Sequence, residues 1–205
     1  MLEEAAPVRL WRFLENQPQS TTVMALEEPL DATLSLLGGT YAFTGVMDRL
    51  DRRDGFLHIL DYKTGSLKRH DGGLWTDIPF FRRVENLCAA FGGAQPPDAD
   101  QLESLDELFN DLRPRLPSLQ LPCYLLMAEA KGLGPLSDAA LVELRDAGRE
   151  YPLFGGLVDE DLSAAMGYCN LSLSLVLLHM RHAPQFAARP DQHCSWCPFA
   201  SLCAE

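Results

Sequence analysis

Two stretches decide the fold: Gly45 to Asp51 (GVMDRLD) and Leu60 to Gly65 (LDYKTG), joined through Arg52-Arg53-Asp54-Gly55. Asp-Gly is a strong turn signal, so Tyr41–Leu50 and Phe56–Tyr62 read as the two arms of a hairpin. Asp48 lies near the end of one arm and Asp61 near the end of the other. Pairing through the tight turn brings the two carboxylates near one another. Two nearby carboxylates repel and are costly to bury unless a cation joins them. A hard divalent ion such as Mg²⁺ suits them, because it prefers oxygen ligands and keeps several waters. Lys63 follows Asp61 by two residues, which on a strand puts both side chains on one face. A metal ion lowers the pKa of a bound water and polarises a phosphate, and an ammonium beside it stabilises developing negative charge. The Asp-x-Lys tripeptide alone is common, however, and reads more simply as a surface hairpin with a loose Asp61–Lys63 pair.

Working outward, Thr21–Leu26 and Ala32–Leu37 are two strand candidates separated by Glu27-Glu28-Pro29. Residues 5–16 form a short helix with Leu10, Phe13 and Leu14 on one face. Beyond the hairpin, Ile78–Phe91 and Leu102–Leu112 read as helices parted by the breaker stretch GGAQPPDAD. Residues 66–117 look like a helical insertion. Ser118–Lys131 is a helix with Pro122 in its first turn and glycines 132 and 134 at its end. Ala139–Leu144 and Glu150–Phe154 flank another turn, and Asp159–His182 is a long helix with an acidic first turn. The order, strands then helices then strands then a helix, predicts an α/β or α+β fold.

The chain has 205 residues, 17 basic against 29 acidic, for a formal charge of −12. That excludes a whole-surface electrostatic grip on DNA or an anionic membrane and leaves a local patch, metal ions or a partner's surface. Residues 41–70 hold six basic groups (Arg49, Arg52, Arg53, Lys63, Lys68, Arg69) against four acids (Asp48, Asp51, Asp54, Asp61). They are the net-positive segment of an acidic chain. The sequence shows no apolar run of the length of a membrane span and no signal-peptide pattern, so a cytoplasmic protein without a membrane partner is expected.

Three of the six cysteines crowd into the last twelve residues as Cys194-x2-Cys197-x5-Cys203. In a reducing compartment, thiolates at such spacing grip a metal or a cluster. Zinc would want a fourth ligand, and His193 is awkwardly close to Cys194. Cys88, Cys123 and Cys169 sit in helical patterns and read as core thiols.

GVMDRLD followed by ILDYKTG, and then Gln120 and Tyr124 in QLPCY, resembles the PD-(D/E)xK nuclease superfamily in its RecB/AddB-type exonuclease branch. The resemblance implies an α/β fold with a restriction-endonuclease-like core, a mixed central sheet flanked by helices, and residues 66–117 as a helical insertion. It also implies Asp48 and Asp61 as metal ligands with the backbone carbonyl of Tyr62 as a third, and Lys63 as the catalytic lysine. Gln120 and Tyr124, four residues apart and so on one helix face, would orient phosphate, water or strand. Arg49 and Asp51 complete the motif and would fix strand geometry, and Glu27 is a weaker candidate, with Glu28 or neither equally open. The implied cofactor is Mg²⁺ or Mn²⁺. The implied substrate is DNA, single-stranded or at duplex ends, and the implied partner is a helicase subunit or domain.

In that branch a C-terminal cysteine set with one upstream cysteine holds a [4Fe–4S] cluster. Here no cysteine precedes Cys88, and the histidines (His58, His70, His179, His182, His193) fall too late for the branch's early active-site histidine. The expectation is therefore a single nuclease domain over 1–205 that is the C-terminal piece of a longer protein. Its cysteine-rich tail, 190–205, would carry an incomplete cluster. Two other readings compete: an inactive nuclease fold that binds DNA or stabilises a complex, and a structural module built on cysteine-bound zinc or iron–sulfur.

Overall fold

A computed structural model describes residues 2–18, 20–65, 67–93, 96–182 and 192–200. Five strands form one sheet in the order β1-β2-β3-β4-β5. They are β1 (Thr21–Leu36), β2 (Gly39–Arg53), β3 (Phe56–Lys63), β4 (Leu136–Glu143) and β5 (Arg149–Pro152). The β3–β4 pair is parallel and the other three are antiparallel, so the sheet is mixed as expected. The helices are α1 (Leu2–Glu15), α2 (Ile78–Phe91), α3 (Ala99–Arg115), α4 (Gln120–Ala130) and α5 (Asp159–His182).

The central hairpin turns where Asp-Gly predicted. Asp54 and Gly55 have φ of 50° and 88°, the two positive values that a tight hairpin turn demands. The first strand differs from expectation: it is one strand of 16 residues, not two. The stretch Glu27-Glu28-Pro29 does not break it. Pro29 opposes Val46 on a strand at the sheet edge, where a missing N–H costs no ladder bond. The disruption is absorbed locally, by a register shift between Val23 and Ala25 and by a positive φ of 49° at Glu27.

Helices crowd one face of the sheet. The α4 sequence QLPCYLLMAEA is apolar almost all round, and Leu121, Leu125, Met127 and Ala128 are all buried. Such a helix belongs between two layers. It packs on β1, β2, β3 and β4 on one side and on α5 on the other. The other sheet face is covered over β3 and β4 by α1, whose Phe13 joins Leu60, Ala140 and Val142 in a separate small core.

The segment 66–117 is tied into the main core. Leu74, Trp75, Phe81, Val84, Leu105, Leu108 and Leu112 bury in the same cluster as Ile59, Leu125 and Leu173, and α2 and α3 both pack on α5. The long helix corrects one expectation. By length and composition α5 qualifies as a membrane span, with 24 residues and a mean hydropathy of 1.3 over its most apolar window. Its Ala165, Cys169, Leu173, Leu175 and Leu178 are instead buried against α2, α3 and α4. Core helices pass the same compositional test as spans.

Candidate active site

Side-chain alternation on β3 sends Leu57, Ile59, Asp61 and Lys63 toward α4 and Leu60 and Tyr62 toward α1. On β2, Leu50 opposes Ile59, so one step beyond the last paired residues sets Asp48 across from Asp61. The β2–β3 ladder stops at Arg49 and Leu60, and the freed N–H of Tyr62 donates to Asp48 Oδ2 at 2.7 Å. Asp48 is thereby anchored to the strand that carries Asp61.

Asp61 is 1% exposed. Burial pushes its carboxyl above the ordinary aspartate range, Lys63 pulls it back down, and Asp48 adds to the rise. Its Oδ1 accepts from Gln120 Nε2 at 2.6 Å, and its Oδ2 lies 2.5 Å from Lys63 Nζ. Yet that Oδ2, buried, accepts no well-aligned hydrogen bond among the described residues. Its close partner is the Lys63 ammonium, and that one contact leaves lone-pair capacity on the oxygen open. Facing a second carboxylate, it fits an oxygen-donor site for a hard cation, which needs only one or two carboxylates and brings its own waters.

Gln120 opens α4 and links the rest. Its Oε1 accepts from Lys63 Nζ at 3.0 Å, and its Nε2 also donates to the Tyr124 hydroxyl at 3.1 Å. Tyr124 donates in turn to the Val46 carbonyl at 2.6 Å. The whole amide is thus satisfied, which fixes its orientation. Asp61, Lys63, Gln120 and Tyr124 therefore meet in one bonded network, and Asp48 is tied to it through the Tyr62 peptide, although the residues come from positions 48 to 124. Glu27 does not join it. It sits on β1 at the level of Asp48, but its side chain is exposed.

Gly45 opens the decisive motif, and nothing local in the sequence marks why a glycine stands there. A Cβ placed there would sit 2.8 Å from Tyr124 Cε1, so only glycine lets the ring lie flat on β2. Gly45→Ala is expected to displace the ring, break its bond to Val46 and cost about 1–3 kcal/mol. Chemical denaturation checks this, and an unchanged midpoint would show that the ring has room.

The opposite sheet face explains Arg49 and Asp51. Asp51 is fully buried between two guanidiniums, with Arg49 Nε at 2.5 Å and Arg53 at 2.8 Å. Arg49 also donates to Gln17 Oε1 at 2.8 Å and to the Tyr62 hydroxyl at 3.3 Å, and Arg53 forks onto Glu150 with two contacts of 2.7 Å. Burial works against both charges, and the bonds to these partners outweigh it and raise both pKa values. The network pins the Tyr62 ring from behind while the Tyr62 peptide serves Asp48.

The cysteine tail is only partly described. Cys194 and Cys197 are half-buried and joined by a Cys197 N–H to Cys194 carbonyl bond of 3.3 Å, and Cys203 lies outside the described residues. Among the described residues no group of three or more His, Cys, Asp or Glu gathers around a common point. Burial raises the Cys88 and Cys123 thiols to about 11 and Cys169 well above its usual value, the behaviour of core thiols rather than of ligands.

A groove of about 1050 Å³ opens elsewhere, lined by Phe56, Ile78, Phe81, Glu129 and Leu171. Phe56 begins the strand that Asp61 and Lys63 end, so the groove lies at the other end of β3 and holds none of the motif residues.

A search of curated proteins gives no match. Among solved structures the chain resembles one described as "Crystal structure of SSO0001", at 17% identity and a TM-score of 0.39, over 99% of this chain and 69% of the other. A family model matches residues 1–77 and 93–204, passing over α2 alone among the elements. That match takes in both sheet halves, the carboxylate strands and α4, and by it the chain belongs to the PD-(D/E)XK nuclease superfamily.

Proposed function

We propose that this chain is a divalent-metal-dependent deoxyribonuclease that works as an exonuclease of the RecB/AddB type. The observation that carries the reading is the single network joining Asp48, Asp61, Lys63, Gln120 and Tyr124. Nucleases of this superfamily generally use divalent metals. Asp48 and Asp61, with the Tyr62 carbonyl, would hold Mg²⁺ or Mn²⁺. When bound, the ion supplies an acidified water and polarises the scissile phosphate.

The chain's own residues do the rest. Asp61 and Gln120 hold Lys63 Nζ, and an ammonium has a third N–H to offer a phosphate oxygen or an attacking water. With its side chain 36% exposed, Lys63 reaches solvent from a buried neighbour. There it would orient the nucleophile and stabilise charge developing on the phosphorus centre. Gln120 aligns Lys63 against Asp61, and Tyr124 anchors Gln120 to β2. The proposed setting is a helicase–nuclease repair system, with the chain part of a longer protein. The proposed role of Cys194, Cys197 and Cys203 is a partial cluster site needing a further cysteine.

The test is degradation of single-stranded DNA with Mg²⁺ or Mn²⁺. Lys63→Ala is expected to lower the rate by on the order of 10²–10³-fold with the fold intact, the scale for removing one preorganised charge-stabilising donor. A variant that cleaves at the wild-type rate removes Lys63 from the reaction.

A further inference from the structure

The chain carries −12, so any grip on a polyanion must be local. One such place lies on the same sheet face as the catalytic network. Asp61 pairs with Leu141 of β4, and Leu141 with Tyr151 of β5, so all three stand in one cross-strand row. Lys63, Glu143 and Arg149 form the next row. Strands lie about 4.8 Å apart, which sets Tyr151 about 10 Å from Asp61 across the sheet.

The segment leaving β3 after Lys63 comes back to this ring. The Arg69 guanidinium stacks 4.1 Å from its centroid and donates to its hydroxyl at 2.8 Å. Arg149 approaches the same ring at 5.4 Å. The two guanidinium carbons are therefore at most about 9.5 Å apart, the two distances added. His70 Nε2 lies 2.8 Å from the Pro152 carbonyl and ties the segment to the edge strand. Two carboxylates oppose this charge, Glu143 between Lys63 and Arg149 in the row and Asp146 beside the ring. Asp146 lies 3.7 Å from Arg149 and accepts from the Tyr151 hydroxyl at 3.3 Å, and the Arg149 side chain is 65% exposed.

We propose that Arg69 and Arg149, held on the Tyr151 ring, form a phosphate clamp for single-stranded DNA that sets the strand in register with Asp61 and Lys63. This rests on the nuclease reading above and adds to it where the strand runs. Guanidiniums suit the task because their planar N–H forks match phosphate oxygens, and stacking on a ring pre-orders them. A separation of about 10 Å places the clamped phosphate within about three nucleotides of the scissile one, taking about 3.4 Å of rise per stacked nucleotide.

The test measures binding apart from cleavage. An oligothymidine of about 12 nucleotides is titrated in Ca²⁺ by fluorescence anisotropy across a salt series. Arg69→Gln/Arg149→Gln is compared with Arg82→Gln/Arg83→Gln, which removes the same charge from α2. The clamp variant is expected to bind about 10–30-fold more weakly, and its log–log salt slope to fall by about 0.7, the loss of one phosphate contact on a single strand. The α2 variant should change the slope little. An unchanged slope in the clamp variant, with the wild type binding and cleaving, overturns the clamp and leaves the nuclease reading standing. Binding lost in the clamp variant while the wild type cleaves nothing keeps the clamp and overturns the nuclease reading. Displacement by oligouridine of equal length about tenfold better than by oligothymidine overturns the assignment to DNA.

Discussion

Asp61→Asn is expected to do two opposite things: abolish cleavage and stabilise the metal-free protein. Both follow from one fact. A carboxylate with 1% exposure faces Asp48 and is held above the ordinary pKa by burial, with Lys63 and Gln120 only partly offsetting that cost. A raised carboxyl pKa means that the native state favours the protonated form. The penalty is therefore absent at pH below the unfolded value, grows as pH rises from the unfolded to the folded value, and is fully present above the folded value. An amide of the same shape removes it, and its carbonyl still accepts from Gln120. The gain should be about 1 kcal/mol, a rise of about 2–4 °C in the metal-free Tm of a chain this size. Cleavage should fall by on the order of 10³-fold, since several kcal/mol of metal-borne stabilisation depends on that ligand. Adding Mn²⁺ should raise the Tm of the wild type and leave the variant's unmoved, since on the proposed reading the ion needs both carboxylates. A variant less stable than the wild type without metal would show that the carboxylate is held for structure and not for an ion.

The sequence carried the parts of this site that rest on local chemistry. Asp54-Gly55 announces a two-residue turn, and the turn sets the register that faces Asp48 toward Asp61. Alternation along β3 places Lys63 beside Asp61. The helix over Asp159–His182 and the one over Ile78–Phe91 follow from periodicity and caps. What pattern alone did not carry was long-range. Gln120 and Tyr124 were visible as site residues only through the family resemblance, because an ordinary helix start and core-edge aromatic look the same in one dimension. The clearance that Gly45 provides depends on a ring 79 positions later. Arg69 and Tyr151 are 82 residues apart and meet because β5 pairs beside β4. The continuity of β1 was hidden because Glu27-Glu28-Pro29 carries a breaker's composition, and only its place at the sheet edge makes that composition harmless.

The largest stability loss is expected at Asp51, on the face away from the chemistry. Asp51→Ala removes the carboxylate shared by Arg49 and Arg53, whose side chains are 7% and 11% exposed. Deleting one member of a buried ionic group costs about 3–5 kcal/mol, because the remaining charges stay desolvated. The two arginines are not left alike. Arg53 keeps both contacts to Glu150, whereas Arg49 keeps only the neutral partners Gln17 and Tyr62. Most of the loss should therefore fall on Arg49, and a double-mutant cycle with Arg49→Ala should show strong coupling, the pair costing much less than the two single changes added. Glu150→Ala should cost less than Asp51→Ala, since the Glu150 side chain is already 26% exposed. Arg49 also holds the Tyr62 ring, and the Tyr62 N–H holds Asp48, so Asp51→Ala should weaken Mn²⁺ binding although Asp51 touches no metal ligand directly. Urea denaturation and Mn²⁺ titration together check this. A loss below about 1 kcal/mol would place the group among ion pairs that merely break even, and unchanged Mn²⁺ affinity would separate the rear network from the site in front of it.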